Sequence, residues 1–198
     1  MSLDQSNLRR EDLIIKKPTI LYELAGSFTV NIDDGDCMCM VYEFYCQQPD
    51  NVDHYNMDAR QFCRQRKIEP RGPNGQLAIL RTPEIDDMVR LYILYHGLDQ
   101  PDCITKYGFW IGLSDRVTEG EYVWSDGDSL CPSDFTNYAP DEPNNDQNLH
   151  GAGQDCTQLW FRFGYHGMWD DEYCNQRPKG IVCEVPDPFC HSQNAIRR

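Results

Sequence analysis

The chain has 198 residues, enough for one well-cored domain with extensions. Its 32 acidic and 18 basic side chains leave a formal net charge of -14, which repels nucleic acid and anionic membranes and attracts cations, calcium above all. A hydrophobic fraction of 40% with 12% aromatic residues excludes a disordered acidic tail.

Residues 1–36 read as a polar N-terminal arm with short strands: Leu21 to Val30 has strand character broken at Gly26, and the acidic turn Asp33-Asp34-Gly35-Asp36 ends it. Met38 to Cys46 is apolar and aromatic, which predicts another strand. Asn56 caps a helix with Ala59, Phe62, Cys63 and Arg66 on one face. Thr82-Pro83-Glu84 starts a second helix, with a capping hydroxyl, proline at the first position, and Glu84, Asp86 and Asp87 at the positive end of the dipole. Ile85, Met88, Val89, Tyr92 and Ile93 repeat at helical spacing, and Gly97 closes it. Phe109 to Leu113, Tyr122 to Trp124, Trp160 to Phe163 and Gly180 to Glu184 read as strands. Between the second and third of these, Ser125 to Gln154 is a long Gly- and Asn-rich loop, of the kind a compact domain keeps for a function. No internal repeat or linker is visible. The organisation expected is therefore an arm over 1–36, one domain over 37–186, and a tail over 187–198 with Cys190.

Ten cysteines suit five disulfides in an oxidising space. Cys37-Met38-Cys39 with Cys46 has the look of part of a zinc knuckle, but no CxxC pair completes it. No run of about eighteen apolar residues exists, so no membrane insertion is expected. Met1 to Gln5 lacks the apolar core of a signal peptide, while the cysteines point to a secreted, extracellular protein whose leader has been replaced. No Asn-x-Ser/Thr sequon is present.

Calcium takes six to eight oxygen ligands. Glu142-Pro143-Asn144-Asn145-Asp146 supplies several at close spacing, Gln154-Asp155 adds two beside Cys156, and Asp170-Asp171-Glu172 adds three beside Cys174. A Cys156–Cys174 bond would draw these clusters into one cage; the bland alternative is a set of solvated acidic loops.

At these residues the chain resembles the C-type lectin-like domain family. Trp110-Ile111-Gly112-Leu113 matches its second-strand signature, and helix-borne Cys63 its first core cysteine. Glu142-Pro143-Asn144 matches the tripeptide of members that bind mannose, fucose or N-acetylglucosamine. Trp169-Asp170-Asp171 stands where the family has Trp-Asn-Asp, and Cys183-Glu184 matches its last strand. The resemblance spans about 37–186 and implies an α+β fold: two helices packed on small antiparallel sheets, a long calcium-binding loop region and disulfide staples. It implies the pairs Cys63–Cys183 and Cys156–Cys174. Of the other cysteines, Cys46 is expected to close an N-terminal hairpin with Cys37 or Cys39, while Cys103, Cys131 and Cys190 compete for what is left.

The family's principal Ca2+ site carries over onto Glu142, Asn144, Gln154, Asp170 and Asp171. Gln154 replaces the usual Glu and Asp170 the usual Asn, an exchange that keeps the summed charge of the five at -3. In such sites two adjacent sugar hydroxyls bind the metal, each also donating to a carboxylate and accepting from an amide. Glu142/Asn144 and, with roles exchanged, Asp170/Gln154 form the pairs for this. A second Ca2+ site is implied on Asp115, Glu119, Asn145 and Asp155. The loop from Glu142 to Gln154 is about four residues longer than in mannose-binding members, so Asp146 to Ala152 either rims the site and selects larger glycans or covers it.

His150 and His166 flank the loop and are read mainly as surface histidines, pH-sensitive release being the alternative. Trp110 and Trp124 read as core, Trp169 as a support beneath the metal loop, and Tyr138 and Tyr165 as packing with sugar stacking as the alternative. Glu142 and Asp170 would be held ionised as calcium ligands and so unfit to act as a general acid; no enzyme activity is expected. The function expected is calcium-dependent binding of mannose-, fucose- or N-acetylglucosamine-type glycans. Weak single-site affinity favours a homo-oligomer. The alternative is a secreted acidic relative that binds a protein or mineral surface without sugar recognition.

Overall fold

The computed structural model describes residues 22–32, 38–47, 56–104, 108–149, 151, 153–162, 164–175 and 179–188. Strand β1 (Tyr22–Ile32) pairs antiparallel with β2 (Met38–Gln47), and the Gly26 break in its pattern becomes a register shift between Leu24 and Gly26. Helix α1 (Asn56–Gln65), the short β3 (Gln76–Leu77) and helix α2 (Pro83–Tyr95) follow. Then come β4 (Gly108–Ser114), β5 (Val123–Trp124), β6 (Cys156–Trp160), β7 (Met168–Glu172) and β8 (Gly180–Asp187).

The fold is α+β, but its strands join one mixed sheet instead of several small antiparallel ones. The order is β1-β2-β8-β4-β6-β7, with β3 on β8 and β5 on β4. The last strand returns between β2 and β4 and runs parallel to β4, pairing Phe109 with Gly180 and Trp110 with Ile181.

Helix α2 forms as its capping signals predict. The Thr82 hydroxyl accepts from the Ile85 N–H, proline opens the first turn, and Gly97 follows the helix with φ +64°. Its inward face places Val89 and Ile93, both fully buried, against Phe44, Phe109, Ile111 and Trp124. Helix α1 buries Ala59 and Cys63 against Leu77, Trp110, Ile181 and Cys183 on the other side of the core. Burying a side chain the size of Val89 or Ile93 stabilises the fold by about 1.5–3 kcal/mol.

The glycine of Trp110-Ile111-Gly112-Leu113 has a packing reason. A Cβ there would lie 2.6 Å from the Leu77 carbonyl oxygen. Only glycine lets β4 close on that segment, where the Gly112 N–H reaches the Ala78 carbonyl at 2.8 Å.

Cys63–Cys183 ties α1 to β8, and Cys156–Cys174 closes the β6–β7 pair. The hairpin bond expected for Cys46 does not form: Cys46 pairs with Cys103, which follows α2. Cys39 and Cys46 stand seven residues apart on the extended β2, about 23 Å at strand rise, so they cannot be joined. Cys39 is disulfide-bonded elsewhere, Cys131 is an exposed free thiol, and Cys37 and Cys190 lie outside the described residues. Among the described residues no helix is long and apolar enough to cross a membrane.

Candidate calcium and ligand site

The site hangs on Trp169. Its backbone N–H donates to the Asn137 carbonyl at 2.7 Å and its carbonyl accepts from Ala139 at 2.8 Å, so β7 holds the start of the long loop in extended register. The chain then turns through Asp141, at φ 69°, and a cis Glu142-Pro143 bond. Asp171, next to Trp169-Asp170 on β7, receives the loop again. Its Oδ1 accepts from the Asn144 N–H at 3.0 Å and its Oδ2 from the Asn145 N–H at 2.7 Å.

This folding brings carboxylate oxygens of Glu142, Asp170 and Asp171 within 4.8 Å of one another. Asn144 joins them through its side-chain amide, which donates to Glu142 Oε1 at 2.9 Å. Burial, then the nearby Asp171 and Asp170 carboxyls, push Glu142 above the usual carboxylate range. Burial does the same to Asp170, which accepts from the Gln158 amide. Glu142 Oε2 is buried with no hydrogen-bond partner. Crowded acids and an orphaned oxygen make a donor set that fits a hard divalent cation.

Gln154 also reaches the site, but both ends of its amide are engaged by the protein. Oε1 accepts from the Asp146 N–H at 3.0 Å, and Nε2 donates to Glu172 Oε1 at 3.3 Å, leaving one amide proton. Glu172, counted in the sequence with the oxygen ligands, turns away instead into a buried salt bridge with Lys179 at 3.2 Å. Lys179 itself lies 5.2 Å from the centre of the Trp110 ring.

The residues of the second expected site are neighbours, but among the described residues Asp115, Glu119 and Asp155 do not converge as Glu142, Asp170 and Asp171 do. The Asp115 N–H donates to the Asp155 carbonyl at 3.2 Å, and Asp115 Oδ2 accepts from Gly120 at 2.9 Å. Its Oδ1 is buried and unpartnered. Asn145 Oδ1 accepts from the Gln154 N–H at 2.9 Å. Desolvation raises Asp115, Glu119 and Asp155, and the Asp171 carboxylate adds to it at all three; Asp115 also raises Glu119 and Asp155.

Tyr138 packs between Tyr122 and Trp169, and Tyr165 stacks on Trp160. Trp110, Trp124 and Trp169 are core. His166 is exposed, and His150 lies outside the described residues. The sequence reading missed Gln158 and Lys179, which hold Asp170 and Glu172. Strand alternation from Cys156 onwards, with Gln158 in register with Asp170, is the signal that finds the first. Lys179 carries none.

Residues 54–185 match the family model described as the Lectin C-type domain. Echinoidin of Heliocidaris crassispina is 29% identical over 129 residues, 65% of this chain and 81% of that protein. Lectin BRA-3 of Megabalanus rosa is 36% identical over 89 residues, 45% of this chain. The mouse low affinity immunoglobulin epsilon Fc receptor is 41% identical over 81 residues, 41% of this chain. These matches span only 49% of BRA-3 and 21% of the receptor. Among solved structures, the carbohydrate-recognition domain of mouse scavenger receptor C-type lectin superposes with a TM-score of 0.55 at 23% identity, over 79% of this chain and 93% of that one. The cow CD23 domain, solved in the presence of a GlcNAc2Man3 oligosaccharide, gives 0.50 at 26%, over 73% and 86%.

Proposed function

The chain belongs to the C-type lectin domain family, and we propose that it is an extracellular, calcium-dependent binder of glycans with vicinal hydroxyls of the mannose, fucose or N-acetylglucosamine type. The observation that carries this reading is the convergence of Glu142, Asp170 and Asp171 within 4.8 Å, with Glu142 Oε2 buried and unpartnered. Three carboxyls so placed repel one another unless a cation or protons neutralise them. Echinoidin and BRA-3 among the relatives, and the oligosaccharide in the cow CD23 structure, support the sugar as the partner.

Glu142, Asn144, Gln154, Asp170 and Asp171 would hold the ion. Calcium bound there supplies a coordination site for sugar hydroxyls. Around it the chain's own groups do the recognition. Glu142 and Asp170 accept from hydroxyls, Asn144 and the remaining Gln154 amide proton donate to them, and Asp171 braces the loop through the Asn144 and Asn145 N–H groups. Asp115, Glu119, Asn145 and Asp155 would form an auxiliary site that stiffens the same loop. Nothing in this arrangement breaks a bond; it is a binding module.

A glycan array probed in millimolar calcium and again in EDTA tests the reading. Binding to mannose, fucose or N-acetylglucosamine glycans that disappears in EDTA is the expected result. Silence on both arrays, with calorimetry showing that calcium still binds, moves the acidic surface to protein or mineral contacts.

A further inference from the structure

The charge of this chain is unevenly placed. Residues 59–71 carry five of the 18 basic side chains and a single acid, Glu69, within a net charge of -14. Arg66 is engaged, its guanidinium forked onto Glu43 at 2.9 and 3.1 Å. Arg60 and Arg64 are not. They stand one turn apart on a single face of α1, about 6 Å along its axis. Arg60 Nη1 lies 3.4 Å from the hydroxyl of Ser114, where β4 ends. Two residues on, the Arg116 guanidinium donates to the thioether of Met57, in the first turn of α1. Three arginines from two segments are thus drawn together, and Lys67 follows just beyond the helix. Burial lowers the proton affinity of Arg60, and repulsion from Arg64 and Arg116 adds to it. Among the described residues, none of these four cations forms an ion pair. The acids around them are Asp58 in the first turn, Glu69, and Asp155, whose carboxyl is raised by burial and by Asp115 and lowered by Arg116.

At about 0.1 M salt, charges act over about 10 Å, so an anion lying here responds to the local cations more than to the net charge. The cations follow the length of α1 in a line, which fits a thin linear polyanion. Duplex nucleic acid or an anionic membrane would press further charge onto the acidic faces alongside. Guanidinium forks match the clustered oxygens of a sulfate ester. Met57 and Val117, 51% and 94% exposed, stand clear of any pocket that could seat the side chains of a peptide. We propose that Arg60, Arg64, Arg116 and Lys67 form a docking track for a sulfated polysaccharide, apart from the carboxylate site and needing no coordination to calcium.

Fluorescence anisotropy of a labelled heparin oligosaccharide, at low ionic strength in millimolar calcium, tests the track. The wild type should bind it. Arg64→Ser and Arg116→Ser, both at exposed positions, should each weaken binding about fivefold. Each should also flatten the dependence of log affinity on log salt by about one, the contribution of one lost contact. Arg81→Ser removes the same charge where it is already paired with Asp126 and Asp128, and should change affinity by less than about twofold. Thermal melts confirm that the variants are folded; if one of the pair is not, the other decides. No binding by the wild type, equal binding of the desulfated oligosaccharide, or no greater loss in the folded variants than in Arg81→Ser overturns the track. Poly-glutamate of matched length binding as tightly overturns the sulfated ligand in favour of an acidic protein segment. Each of these failures leaves the calcium-dependent reading standing, because the glycan array tests that reading with uncharged sugars.

Discussion

The indole N–H of Trp169 donates to Asp86 Oδ1 at 2.8 Å, across 83 residues of sequence. The other oxygen of the same carboxylate accepts from Asn137 Nδ2 and from Arg90 Nε, each at 2.8 Å. One buried acid on α2 thus holds both the strand that carries Asp170-Asp171 and the start of the loop that carries Glu142.

Asp86→Ala should for that reason destabilise the protein by about 3 kcal/mol, because it leaves the Trp169 and Asn137 donors and the Arg90 charge without their acceptor. Denaturant unfolding measures this. Calorimetry should show weakened calcium binding in the folded fraction, whereas Asp87→Ala, on the exposed side of the same turn, should change neither.

Gly153 adopts φ +86°, and a Cβ on it would lie 1.7 Å from Asn145 Oδ1. Gly153→Ala must expel the Asn145 side chain from the Gln154 N–H, besides straining the backbone by about 1–2 kcal/mol. Calcium affinity should fall, so unfolding in EDTA should shift by the strain alone and unfolding in calcium by more.

Gln154→Glu restores the family's commoner residue yet should weaken sugar binding severalfold. The substitution removes an amide donor and sets a second carboxylate against Glu172, which Gln154 now donates to. Titration with the best monosaccharide from the array checks it. Unchanged affinity would show that the Gln154/Asp170 exchange is not a functional pair.

Burial pushes Glu184 up to about 7 even though it accepts from the Ile79 N–H and the Gln76 amide at 2.8 Å each. The folded chain therefore holds a proton that the unfolded chain has released between roughly pH 4.5 and 7. The stability this contributes is complete below the lower value and is lost as pH rises through the upper one. Relative to Glu184→Gln, the wild type should lose about 3 kcal/mol between pH 4.5 and 8. Urea unfolding at both pH values, in EDTA, reads the difference.

Much of this molecule is legible as local chemistry. The Thr82-Pro83 start and Gly97 stop of α2 and the apolar spacing of both helices follow from residues within a turn or two of one another. The oxygen-rich side chains at Glu142, Asn144, Asp170 and Asp171 can be read the same way, although their convergence takes the Trp169 pairing and the Asp171 bonds to the loop as well as the Cys156–Cys174 staple.

Other features have no local signature. Asp86 looks like any first-turn acid placed for the helix dipole, yet it is buried beneath Trp169. Cys46 could be matched to nearby cysteines on paper, and only the extension of β2 keeps it from Cys39 and brings it to Cys103. The length of the loop after Glu142 is plain in the sequence, whereas the mooring of Leu149 depends on the hydroxyl of Tyr173, 24 residues away. Which residues favour helix and strand, and which offer oxygen ligands, is already written in the sequence, because capping, periodicity and ligand chemistry act over a few residues. Which acids cluster, which braces the loop and which pairs with Lys179 follow only from the tertiary structure, because burial and hydrogen-bond partners are set by segments that meet only when the sheet is assembled.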